Sequence, residues 1–129
     1  MKLNHDCVRS VLLFIESEYK LGIPLREDDF FKSDNLSKYQ HDDIEYVLIT
    51  LDKTPYVNSH VDYLRGRLAR YSNNGLTWEG HIFLDNVRDS KVWSRTKQVA
   101  SHFESVSISL LSNIGSQVIS HMIEKQMGI

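Results

Sequence analysis

One cysteine, two prolines and six glycines stand among 129 residues. A lone Cys7 excludes an intramolecular disulfide and a cysteine-based structural zinc site, and it fits a reducing cytoplasm. It reads as a small apolar residue packed on the first helix. Long apolar runs are missing as well. The most apolar stretch, Val106 to Ile123, is interrupted by serines, Asn113 and Gln117, so no membrane span is expected. The opening residues, with Asn4, His5 and Asp6 close behind Lys2, hold no apolar run before a small-residue cleavage site, so no secretory leader is expected either. Six histidines are present, yet no two take the His-x-x-x-His spacing of a helical metal site. His5 and Cys7, like Glu79 and His81, are two apart and face different sides of a helix. No glycine-rich phosphate loop or nucleophile elbow occurs. These gaps argue for a non-enzymatic protein with no metal, no cofactor and no membrane partner.

Neither sign of charge dominates the whole chain, whose net charge is −2, but the charges are unevenly placed. Residues 1–53 hold seven basic and eleven acidic side chains, and the remainder holds eight basic and six acidic. The first part is therefore acidic and the second mildly basic.

Helical periodicity is clear in the first part. Asn4 is a suitable N-cap, with Asp6 in the first turn where the helix dipole favours it. Val8, Val11, Leu12, Ile15 and Tyr19 follow at spacings of three and four. Gly22 is expected as a left-handed cap ending this helix, with Pro24 preventing its continuation. Leu25 suits a short extended piece, and Arg26 to Tyr39 a short or irregular helix plus loop. A second clear helix is predicted from about His41 to Lys53, with Ile44, Val47, Leu48 and Leu51 inward and Pro55 stopping it. A weak period-two pattern from Tyr56 predicts a strand, Arg65-Gly66 a hairpin tip, and Leu68 to Tyr71 the returning strand. Asn73-Asn74-Gly75 reads as a turn, since these residues tolerate positive φ.

The densest apolar and aromatic segment runs from Leu76 to Trp93. Thr77 can cap a helix in which Trp78, Ile82, Phe83 and Val87 form one stripe, and Gly80 permits close backbone packing. Asp89 or Ser90 can cap the next helix, read as Lys91 to Phe103. Trp78 and Trp93 are expected to anchor a buried core, with Trp78 locking the N-terminal part to the helical tail. A last helix is predicted from Ser107 to Met127. The fold expected is mainly α with a small β-hairpin: a winged-helix core over residues 1–89 and two C-terminal helices over 90–129, in a single domain.

Two blocks carry a family resemblance: Met1-Lys2-Leu3-Asn4-His5-Asp6-Cys7-Val8-Arg9, and Leu76-Thr77-Trp78-Glu79-Gly80-His81-Ile82-Phe83-Leu84-Asp85-Asn86-Val87-Arg88-Asp89. Trp93, Lys97 and Ser105-Val106-Ser107 also fit. The chain resembles the domain-of-unknown-function family 2513, short phage and prophage proteins similar to the YjcQ-like winged-helix proteins. The resemblance implies a cytoplasmic bacterial or phage protein with a winged-helix core, and it carries over no catalytic residue. Thr54-Pro55 departs from the Ala-Gly-like turn expected there.

Two functional classes remain open. A winged helix suggests DNA, but the His41–Lys53 helix offers Asp42, Asp43, Glu45 and Asp52 where phosphate contacts call for cations. DNA contact would then fall to the hairpin, through Arg65, Arg67 and Arg70. The alternative is a protein-binding module, aimed at a host or phage protein, using the acidic helix or the C-terminal helix. Ser112, Ser116 and Ser120 share a face there beside Gly115, and small residues permit close helix approach, in a homodimer or within the chain. Arg88, Lys91, Arg95 and Lys97 read as the basic face of a solvated helix.

Overall fold

The computed structural model describes residues 1–128. Among them are six α-helices and one three-stranded antiparallel sheet. They form two compact units, Met1–His81 and Ile82–Ile129.

The first unit starts with helix α1, His5–Glu18. Asn4 caps it as its spacing predicts, its side-chain oxygen accepting from the Cys7 N–H at 3.0 Å. The stripe from Val8 to Ile15 is buried, and so is Cys7, whose thiol is pushed up to about 12 by burial. The helix stops earlier than expected: Tyr19 is already extended, and Gly22, at φ +83°, belongs to a separate tight turn closed by the Ile23 N–H on the Lys20 carbonyl at 2.9 Å. Strand β1, Leu25–Arg26, leads into the short helix α2, Glu27–Phe31. A 3₁₀ turn at Asp34–Leu36 follows, then helix α3, His41–Asp52, with Ile44, Val47, Leu48 and Leu51 inward.

Strands β2, Val57–Leu64, and β3, Arg67–Leu76, meet at the predicted Arg65-Gly66 tip. Both tip residues have positive φ, the twist that suits a two-residue hairpin loop. The strand order is β1-β3-β2. Asn73-Asn74-Gly75 does not end β3. The Asn73 side-chain oxygen accepts from the Gly75 N–H at 2.8 Å, Gly75 takes φ +94°, and the register shifts by one residue against Val57–Ser59. The residues that tolerate positive φ make a bulge rather than a turn. Three aromatic rings meet within a largely aliphatic core between sheet and helices. Phe30 lies 5.0 Å from Phe14 and 5.4 Å from Tyr71, ring centroid to centroid, and neither Phe30 nor Tyr71 is exposed.

Helix α4, Trp78–Val87, contributes its first turn to this unit. Thr77 caps it, accepting from the Gly80 N–H at 3.0 Å. The stripe read from the sequence holds at Phe83 and Val87 and fails at Trp78 and Ile82. Gly80, Phe83, Leu84 and Val87, at spacings of three and four, are the buried positions. Trp78 is 77% exposed and Ile82 46% exposed on another face, so Trp78 is not a core anchor. A β-carbon on Gly80 would sit 2.0 Å from the Tyr56 carbonyl oxygen, so the place nearest the backbone is held by a residue without a side chain.

The second unit continues from Ile82 into helix α5, Ser90–Ala100, and helix α6, Ile108–Met127. Asp89 caps α5, accepting from the Lys91 and Val92 N–H groups at 2.8 and 3.0 Å, and Ser107 caps α6 through the Leu110 N–H at 3.1 Å. Trp93 is buried as expected. Phe103, expected in its helix, lies beyond α5 and is 63% exposed.

Candidate functional site

The three hairpin arginines differ in circumstance. Arg65 sits exposed at the tip, and Arg70 is exposed and pairs in register with Asp62. Arg67 is committed to α3. Its Nε donates to Glu45 Oε2 at 2.8 Å, and its Nη2 donates to Glu45 Oε1 and Asp42 Oδ1, each at 2.9 Å. The Leu68 N–H donates to Glu45 Oε2 at 3.3 Å. This forked pair ties residues 22 apart and fixes the hairpin tip to the start of α3. Glu45 is 6% exposed, although the acidic composition of its helix groups it with the exposed Asp42. The signal was present: Glu45 adjoins Ile44 and stands three residues before Leu48, at the edge of the apolar stripe.

His41 completes the cluster, its Nδ1 lying 3.7 Å from Glu45 and its ring stacked on Phe31 with centroids 4.0 Å apart. Ligand atoms of His41, Asp42 and Glu45 lie within 4.8 Å of one another. The Arg67 guanidinium already takes both carboxylates, so a divalent cation would have to displace it. Among the described residues Arg67 alone of the three arginines pairs with carboxylates of α3, Asp42 and Glu45, while Asp62, opposite Arg70 in register, meets His60 at 2.9 Å.

The hydrogen bonds from Arg67 hold the Glu45 carboxyl below its ordinary value, against the opposing effect of burial. The native carboxyl thus titrates lower than the unfolded one. The pair stabilises the fold fully above the ordinary carboxylate range, about pH 4.3, and that contribution is lost as pH falls through the lowered native value. Glu45→Gln is expected to flatten the acid limb of a profile of unfolding free energy against pH, measured in urea. An acid limb identical to that of the parent protein would contradict the assignment.

A second feature lies in the second unit. Helices α5 and α6 flank a groove of about 430 Å³. Its apolar lining is Val99, Ile114, Val118 and Met122, and its polar lining is Lys91 and Arg95 from α5 with Gln117 and His121 from α6. Among the described residues no carboxylate lines it. Lys91 and Arg95, one helical turn apart, stand on the same side; they belong to the basic face read as merely solvated. The groove escaped the sequence reading because it needs two helices in register. Further along α6, Met122, Ile123 and Met127 are exposed.

The small-residue set on α6 divides. Ser112 is buried and its Oγ accepts from Asn86 Nδ2 at 3.1 Å. Gly115 is buried, and a β-carbon there would sit 2.1 Å from the Asn86 carbonyl oxygen. Both therefore serve the packing of α6 on the chain's own α4, and only Ser116 and Ser120 remain exposed. Gly115→Ala is expected to cost about 1–3 kcal/mol in urea unfolding, although alanine is the better helix former by about 1 kcal/mol. A gain in stability would show that Asn86 yields freely.

These features describe a mainly helical protein with a small antiparallel sheet, two uneven charge surfaces and an apolar groove. Among the described residues no helix is long and apolar enough to cross a membrane. The chain belongs to the family described as "Hypothetical protein (DUF2513)", whose pattern matches residues 2–107 and so ends where α6 begins. It is also similar to an "Uncharacterized protein" of Haemophilus influenzae (strain ATCC 51907 / DSM 11121 / KW20 / Rd), 28% identical over 124 residues that span 95% of this chain and 99% of that one. No solved structure matches.

Proposed function

We propose that the protein is a non-catalytic accessory protein of phage or prophage type that acts by binding polypeptide rather than DNA. Its element order, α1-β1-α2-α3-β2-β3 with sheet order β1-β3-β2, is the order we read as a winged helix. The phage or prophage setting rests on the resemblance carried by the Met1–Arg9 and Leu76–Asp89 blocks, and the single thiol suits a bacterial cytoplasm.

The observation that carries the reading is the charge balance around Arg67. A winged helix reads DNA with the helix that α3 would be, and phosphate contact supplies most of the non-specific affinity. Here that helix begins His41-Asp42-Asp43, and its two carboxylates nearest the hairpin consume the arginine that would otherwise contact phosphate. An arginine held by two carboxylates is not free to meet a polyanion. The groove beside α6, by contrast, offers the apolar surface with a charged rim on which an amphipathic helix docks.

Two measurements test this. A labelled random duplex titrated at low salt is expected to show no saturable anisotropy change up to about 10 μM, a range in which ordinary non-specific binders respond. Saturable binding abolished by Arg65→Glu with Arg70→Glu would return the function to the hairpin. A photo-crosslinking phenylalanine analogue replacing Gln117 is expected to give polypeptide adducts in bacterial cytosol. Adducts no more abundant than those from the same analogue replacing the exposed Lys32 would overturn polypeptide binding at the groove.

A further inference from the structure

We infer that the groove between α5 and α6 receives the exposed face of α4 from a second copy of this chain, so that the protein is a homodimer. The inference rests on the polypeptide-binding reading above and names the polypeptide. Both halves of the contact are present on one chain. The groove supplies an apolar lining, Val99, Ile114, Val118 and Met122, beside two cations, Lys91 and Arg95. Arg95 donates to the Gln98 side chain at 3.0 Å, and among the described residues neither cation meets a carboxylate.

The complementary surface is on α4. Trp78 and Ile82 stand one turn apart, 77% and 46% exposed, and share a face of the helix. Glu79 and Asp85 are exposed on the same helix. Glu79 has no charged partner among the described residues, and Asp85 makes a pair with Arg88 at 3.0 Å, solvated on the carboxylate side. An exposed tryptophan with an isoleucine one turn on, accompanied by carboxylates, is the amphipathic anchor that an apolar groove with a cationic side fits.

The match explains two features that the fold leaves idle. Trp78 has a side chain able to bury some 150–250 Å², yet it lies mostly in solvent in its own chain. Among the described residues the groove has no acidic side chain to meet its cations. Each copy carries one groove and one α4 face. Where the two contacts are reciprocal about a two-fold axis, the assembly closes as a dimer.

The test is sedimentation equilibrium of the full chain, from about 1 to about 100 μM, the span over which a micromolar dimer dissociates and forms. The expected result is a monomer–dimer equilibrium. Trp78→Ala, whose wild-type side chain lies mostly in solvent, is expected to weaken it at least about tenfold without altering the circular dichroism spectrum. Lys91→Glu with Arg95→Glu is expected to weaken self-association, and mixing that variant with Glu79→Lys to restore a mixed dimer. A monomer throughout the range, a dimer indifferent to Trp78→Ala, or no restoration in the mixture would each overturn the inference. A monomer that still gives adducts with other polypeptides from position 117 overturns the second copy but keeps the reading beneath it. A monomer with no adducts removes both.

Discussion

Phe30→Ala is expected to lower the unfolding free energy by about 3–5 kcal/mol, the range for deleting a buried aromatic ring. Phe30 is fully buried and stands between two rings, tilted against Phe14 at 5.0 Å and edge-on to Tyr71 at 5.4 Å. Phe14 comes from α1, Phe30 from α2 and Tyr71 from β3, so one side chain joins the three layers of the first unit. Its removal forfeits both ring contacts and leaves a void that the rigid sheet on one side cannot fill. Tyr71 is poorly placed to move in. Its hydroxyl accepts from Asn73 Nδ2 at 2.9 Å, and its backbone N–H donates to Glu27 at 3.0 Å. Urea unfolding followed by far-ultraviolet circular dichroism measures the loss; a cost below about 1 kcal/mol would mean that this junction is not the centre of the core.

The second large effect is expected at Gly80. A β-carbon alone would stand 2.0 Å from the Tyr56 carbonyl oxygen and 3.3 Å from the Leu76 β-carbon. The carbonyl cannot turn aside cheaply, because it accepts the Thr77 N–H at 3.0 Å and Thr77 in turn caps α4. Gly80→Val adds two further carbons on a stiff branched side chain, so the loss is expected at about 3 kcal/mol or more, at or beyond the top of the usual overpacking range. The improvement in helix propensity over glycine, below about 1 kcal/mol, does not offset it. Thermal unfolding of the variant checks this, and a melting temperature equal to or above that of the parent would show that the α4–β2 approach is looser than described.

The same segment shows what a sequence makes visible. Local signals were readable because each acts within a few residues. Asn4 caps its helix, Asp89 was one of two candidates for its cap and takes the role, Pro55 follows the end of α3, and Arg65-Gly66 turns the hairpin. The need for a glycine at position 80 was readable too, while the carbonyl it meets lies 24 positions away in sequence at Tyr56. Trp78 misled because hydrophobicity alone does not set phase. It stands two positions before the glycine that marks the true inward face, and a glycine adds nothing to an apolar stripe. Asn73-Asn74-Gly75 has the composition of a turn, and only its pairing with β2 makes it a bulge.

At the candidate site, the arginines were identifiable as chemistry but not as geometry. Arg65, Arg67 and Arg70 look equivalent in a hairpin, whereas Glu45 singles out Arg67 through a contact 22 residues away. Ser112 and Gly115 look like half of a helix–helix interface, and so they are, but the other half is Asn86 of the same chain. The groove lined by Lys91, Arg95 and four apolar side chains has no signature in either helix alone.

The central claim is that the molecule binds polypeptide through the α5–α6 groove while Arg67, one of its three hairpin arginines, is held by carboxylates of α3. Amide chemical shifts of the ¹⁵N-labelled chain test both parts in one sample series, first diluted and then titrated with duplex DNA at low salt. The account predicts concentration-dependent shifts at Lys91, Arg95, Val118 and Trp78, and no saturable shift from Leu64 to Arg70 on adding duplex. Saturable shifts along that hairpin, with the groove and α4 amides unmoved by dilution, would contradict it.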